Sequence, residues 1–138
     1  MEIDLVVGLL TSVGLSAIAV VHLNWARGGL WPATAQSTRY DKVTPPGMAA
    51  PGPVATYFVA GALAMAAGVV GARALGIDQW IVVTGTAVVV GVLALRAAQG
   101  FLSSGVLRRD STYARLDRRY YSPLCLALAA GSLATLSA

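Results

Sequence analysis

Hydrophobic residues along this chain fall in long blocks separated by short charged clusters, not in the mixed spacing of a water-soluble fold. Asp4 and Arg27 bracket 22 uncharged residues, Leu5 to Ala26. Lys42 and Arg73 bracket a second block. Its front, Thr44 through Pro53, is too rich in proline and glycine for a helix. The helical part therefore begins near Pro53, where proline suits a first turn. Asp78 and Arg96 bracket a third block, and Tyr120 opens a fourth of 19 residues. A bilayer core of about 30 Å needs roughly 20 apolar helical residues. The pattern predicts spans at about 4–27, 53–73, 79–100 and 120–138, joined by a Pro/Gly-rich loop, 28–52, and a basic loop, 101–119. Strands are rejected: no alternating ten-residue pattern recurs, and an open sheet would leave backbone groups unpaired in lipid. The expected fold is all-α, one integral membrane four-helix bundle over residues 1–138.

Composition sharpens this. The chain is 57% hydrophobic and 12% charged, against roughly 25% charged in soluble domains. So little charge cannot cover a soluble surface. A single cysteine, Cys125, excludes a disulfide scaffold. The first block carries Glu2 and Asp4 and no basic residue ahead of it, so it reads as a retained span and not a signal peptide.

The net charge of +4 is distributed unevenly. With four spans, Arg73 stands alone on one side, while Arg27, Arg39, Lys42, Arg108, Arg109, Arg115, Arg118 and Arg119 gather on the other. That bias sets loops one and three in the cytoplasm and both termini outside. Because these cations flank spans, nucleic-acid binding is not expected.

Small residues line the predicted helix faces: Gly8, Ser12, Ala19 and Ala26 on the first, Ala60, Ala64, Gly68 and Ala72 on the second, Ala87, Gly91, Ala94 and Ala98 on the third. Such stripes let helices approach closely in lipid. A tight monomeric bundle is the plain reading and homodimerisation the sharper one.

The residues with chemistry gather at the expected cytoplasmic end. The first span closes His22-Leu23-Asn24-Trp25-Ala26-Arg27-Gly28-Gly29-Leu30-Trp31-Pro32. His22, five residues inside Arg27, lies about 7 Å deeper, in register with Ala19 and Ala26. Trp25 and Trp31 suit an interfacial belt. Late in the third span, Arg96 and Gln99 share a face. Arg96 either snorkels to the headgroups or anchors a carboxylate, borne by Asp117 or by a ligand. Tyr120 and Tyr121 either join the belt or turn a hydroxyl inward. Loop one is long for a small domain and has four prolines; it reads as a lid or as a linker, with Tyr40-Asp41-Lys42 its one concentrated polar piece.

His22-x-x-Trp25-Ala26-x-Gly28-Gly29-x-Trp31-Pro32, a late Arg96, and Leu116-Asp117-x-x-Tyr120-Tyr121-Ser122-Pro123-Leu124-Cys125-Leu126 together resemble a bacterial family of small four-span membrane proteins, domain of unknown function 3995. The likeness covers nearly the whole chain. It implies four helices, a motif-bearing cytoplasmic end and the inner membrane of a bacterium, and it implies no activity.

Three functions are open at this point. The first is a binding module, in which a lipid-like or amphipathic molecule meets Arg96 and Gln99 and is walled by Asn24, Trp25, Trp31, Tyr120 and Tyr121. The second is an intramembrane isomerase or cyclase acting on an isoprenoid-like substrate, with His22 or Asp117 as acid or base. The third is a structural subunit of a larger complex. One histidine and one distant cysteine do not make a metal set, and no cofactor motif is present. Membrane lipids are the expected surroundings.

Overall fold

The computed structural model describes residues 2–45, 47–103 and 111–137; Arg108 and Arg109 of the basic loop, and the side chain of Tyr40, lie outside the described set. The described residues are overwhelmingly helical. In chain order they form α1 (Glu2–Ala26), α2 (Gln36–Val43), α3 (Pro53–Ala74), α4 (Trp80–Leu102), α5 (Thr112–Leu116), one wide π turn (Asp117–Tyr121) and α6 (Ser122–Leu136).

The long helices end where the sequence predicts, within a residue or two, because charge and backbone chemistry stop them. Pro53 sits in the first turn of α3 after an extended Gly52. Gly76, with φ +83°, turns the chain out of α3, and Arg73 closes that turn on Asp78 at 2.8 Å. Two expectations change. Loop 28–52 holds α2, which the sequence conceals because it has no apolar period. The last helix begins at Ser122 and is entered through α5 and the π turn. Pro123 supplies a cause for that turn, since a proline ring crowds the carbonyl four residues earlier and a wider turn relieves the clash.

The helices alternate in direction around a ring, α1 beside α3, α3 beside α4, α4 beside α6, and α6 back beside α1. α1 and α4 therefore face each other across the ring without packing directly. Gly8 lets three helices approach closely: a Cβ there would stand 2.5 Å from Ala74 Cβ on α3 and 2.6 Å from Thr135 Cγ2 on α6. Ser12 ties α1 to α3 by donating its hydroxyl to the Ala67 carbonyl at 2.8 Å. The core between the helices is Leu15, Ala67, Val70, Leu93, Leu128 and Ala129.

The outside is apolar as well. Leu10, Val13, Phe58, Met65, Val88 and Leu95 are all exposed. Three helices, α1, α3 and α4, are long and apolar enough to cross a membrane. An outer surface of this kind is one that lipid, not water, solvates. The stripe of Ala87, Gly91, Ala94 and Ala98 proves to face outward, and α4 buries Thr86, Leu93, Ala97 and Gly100 instead. On α4, with apolar surroundings on both sides, that stripe does not mark the inner face; the polar Thr86 and Arg96 do.

Candidate functional site

The residues singled out from the sequence divide into two clusters at the basic end of the bundle, one on α1 and one between α4 and the start of α6.

The α1 cluster is local. The half-buried His22 uses Nδ1 to donate to the Ile18 carbonyl one turn back, at 2.9 Å, since a carbonyl only accepts. Its ring lies 5.1 Å from that of Trp25. Trp25 donates its indole N–H to the Trp31 carbonyl at 2.7 Å, folding the glycine turn back on the helix end. The Gly29 N–H reaches the Asn24 carbonyl at 2.8 Å, and the exposed Asn24 side chain occupies the space where a Cβ on Gly29 would lie. Arg39, buried on α2, donates to the Gly29 carbonyl at 2.9 Å. Trp31 is exposed.

The second cluster is deeper. Arg96 Nη2 meets Asp117 Oδ1 at 2.7 Å, with the carboxylate wholly buried and the arginine side chain 35% exposed. The same nitrogen donates to the Tyr113 hydroxyl at 3.1 Å. Burial pushes that hydroxyl above its ordinary pKa, with the Arg96 charge pulling the other way. Tyr113 therefore stays protonated at neutral pH. Its ring lies 6.3 Å from that of Tyr121.

Gly100, one turn beyond Arg96, makes room for all of this. A Cβ there would fall on Ser122 Oγ, 2.6 Å from Arg96 Nη1 and 2.7 Å from Asp117 Oδ2. Ser122 is wholly buried, and its hydroxyl has no hydrogen-bond partner among the described residues. The π turn explains how Asp117 and Ser122 both reach α4. Five residues apart, they would point about 140° apart on a regular α-helix. The bond from the Ser122 N–H to the Asp117 carbonyl stacks them instead.

The expected pairing of Arg96 with Asp117 is therefore present, while Gln99 and Tyr120 turn outward and His22 stands on the helix across the ring from Arg96. Tyr113, Gly100 and Ser122 were missed as site residues. Tyr113 was within reach of sequence reasoning, four residues before Asp117 and so on its face. Ser122 was not, because a π turn has no sequence signature. Among the described residues no three His, Cys, Asp or Glu side chains come together, so the clusters offer no metal-ligand set.

Open space lies elsewhere. A groove of about 440 Å³ runs between α1 and α3, walled by Ala19, Val20 and Leu23 on one side and Tyr57, Gly61 and Ala64 on the other. Gly61 keeps it open, with nothing within 4 Å of where its Cβ would be. A second cleft of about 420 Å³ lies among Asp41, Thr44, Met48 and Ser111. Neither is lined by Arg96 or His22.

Neither a curated protein nor a solved structure matches the chain. A family model does: the one described as protein of unknown function DUF3995 matches residues 15–132. That stretch contains His22 and Trp25, the Arg96–Asp117 pair, Gly100 and the π turn, and the chain belongs to that family.

Proposed function

We propose that this is a multi-pass protein of a bacterial cytoplasmic membrane that binds a lipid-like molecule in the groove between α1 and α3. The observation that carries the reading is the groove itself. Its volume is in the range of small-molecule sites, its walls are mostly alanine, glycine, valine and leucine with Ser16 and Tyr57 among them, and it opens sideways on the apolar face. An alkyl or isoprenoid chain is the occupant such walls favour. The Tyr57 phenol and the Ser16 hydroxyl, which donates to the Ser12 carbonyl, are the polar side-chain groups on its walls for an amphipathic end.

In this reading Arg96 does not receive the ligand's head, because Asp117 and Tyr113 already engage it. The cluster around it joins α4 to α6. The enzymatic alternative draws no comparable support: His22 is bonded to its own helix and Asp117 has no surface on which to meet a substrate. The filled layer around Arg96 favours, as a second reading, a structural subunit without a small ligand.

Native mass spectrometry of the purified chain separates the two. The binding reading expects a retained lipid or isoprenoid, lost when Gly61→Phe fills the groove. No retained molecule, or equal retention by a folded Gly61→Phe variant, leaves the structural reading.

The orientation belongs to the same proposal. The ends of α1 and α4, the start of α3, and α5 share one end of the bundle, and among the described residues Arg27, Arg39, Lys42, Arg115, Arg118 and Arg119 belong to that end. That end is cytoplasmic by the charge rule. Single cysteines at Ser37 and Ser111, with Cys125 replaced, should resist an impermeant thiol reagent in intact cells. Labelling of either from outside overturns the orientation.

A further inference from the structure

We propose that the outer side of the Thr112–Tyr121 run is a headgroup site for an anionic phospholipid. The inference rests on the membrane reading but not on the α1–α3 groove. The sequence of the run, Thr-Tyr-Ala-Arg-Leu-Asp-Arg-Arg-Tyr-Tyr, has one acid among three arginines. The structure sorts these charges by side. Asp117 is wholly buried and paired with Arg96, while Arg115, Arg118 and Arg119 are all exposed. The one carboxylate of the run is thus buried toward α4, while Arg115 and Arg119, two residues away on either side of it, stand on the outer side.

The outer side also has the chemistry of a phosphate diester site. The Arg119 guanidinium lies over the Tyr120 ring, 5.5 Å from its centroid. A cation–π contact of this kind restrains the guanidinium while its N–H groups remain able to make paired bonds to phosphate oxygens. Arg115 stands four residues earlier, on the same side. The run passes directly into the apolar helix α6, so the arginines lie where that helix enters the hydrocarbon. Leu124, four residues after Tyr120, is exposed and offers an apolar ledge to an acyl chain. Phosphate bonds above and apolar contact below, on one face, fit a bilayer lipid better than a free phosphate. Basic surfaces of this kind at the cytoplasmic boundary recognise anionic headgroups.

The test uses the full chain in a neutral detergent, with retained lipid counted by native mass spectrometry. Phosphatidylglycerol and phosphatidylcholine are offered in equal amounts, with glycerol phosphate added in a separate arm. Phosphatidylglycerol should be retained about tenfold or more over phosphatidylcholine. The preference should fall by about fivefold for the first arginine changed to glutamine and vanish when all three are changed, and glycerol phosphate at the same concentration should not displace the lipid. Arg119→Lys keeps the charge but loses the fork, and should show an intermediate loss. Each variant is compared at a matched thermal midpoint. If Arg115→Gln/Arg118→Gln/Arg119→Gln does not fold, Arg115→Gln alone carries the test. Equal retention of the two lipids, an undiminished preference in a folded glutamine variant, or full displacement by glycerol phosphate overturns the proposal. Because Gly61→Phe leaves these arginines in place, failure here and failure of the groove reading are told apart.

Discussion

Arg96 and Asp117 share one ion pair at 2.7 Å but not one environment: the arginine reaches the surface and the carboxylate does not. Losing either partner therefore has unequal consequences. Arg96→Leu strands a buried carboxylate, a loss of about 3–5 kcal/mol for a buried pair. Asp117→Asn leaves a guanidinium that water or headgroups still solvate, so its loss should be clearly smaller. Arg73→Leu breaks a pair whose acid, Asp78, is mostly exposed, and such pairs contribute about 0–1 kcal/mol. Thermal midpoints in one detergent should fall in the order Arg96→Leu, Asp117→Asn, Arg73→Leu, largest loss first. Equal losses from Arg96→Leu and Arg73→Leu would mean that Arg96 only snorkels.

Two glycines on α4 give opposite expectations for the same substitution. Gly100→Ala drives a methyl into Ser122, Arg96 and Asp117, and overpacking of this kind costs about 1–3 kcal/mol. Gly91→Ala meets open space and gains helix propensity. Gly100→Ala should lower the thermal midpoint and Gly91→Ala should hold or raise it. A Gly100→Ala variant as stable as the parent would show that the α4–α6 contact is looser than the geometry indicates.

How much of this was legible in the sequence depends on which force marks a residue. Helix bounds were legible, because charge is excluded from an apolar layer and therefore brackets each span. The buried face of α1 was legible too, with Gly8, Ala19 and Ala26 all buried. The face of α4 was misjudged by following its alanines. In a chain with apolar surroundings inside and out, hydrophobicity carries no contrast, and only Thr86 and Arg96 report the interior. The partnership of Arg96 with Asp117 was legible from the electrostatics of a cation within a span. The separation of His22 from Arg96 was not legible, since similar depth on two helices does not set the distance between them. It depends on helix order around the ring, which no single-chain pattern encodes.

Ser122 offers a test of the π turn. Its hydroxyl is buried without a partner among the described residues, and an unmet hydroxyl costs about 1–3 kcal/mol by desolvation. Ser122→Ala removes that cost and a little volume beside Gly100. Ser132→Ala removes a hydroxyl that donates to the Leu128 carbonyl at 2.8 Å. The first variant should be as stable as the parent or more so, and the second less stable. A marked loss from Ser122→Ala would show that the hydroxyl is bonded in the membrane.

The division of the polar end into two clusters has its own energetic signature. His22 donates to the Ile18 carbonyl on its own helix, and α1 does not pack on α4, so His22 and Arg96 share no partner among the described residues. Independent sites add to within about 0.3–0.5 kcal/mol, whereas residues in one network couple by about 0.5–3 kcal/mol. A double-mutant cycle of His22→Leu with Arg96→Leu should therefore close to near zero. The cycle of Arg96→Leu with Asp117→Asn should not, because each change removes the same ion pair. His22→Leu alone should cost about 1 kcal/mol, the size of a single local hydrogen bond. Urea or thermal unfolding of the three single and two double variants and the parent in one detergent measures both cycles. Strong coupling between His22 and Arg96 would place them in a common layer, return His22 to the neighbourhood of Asp117, and reopen the acid–base reading that the present geometry leaves without support.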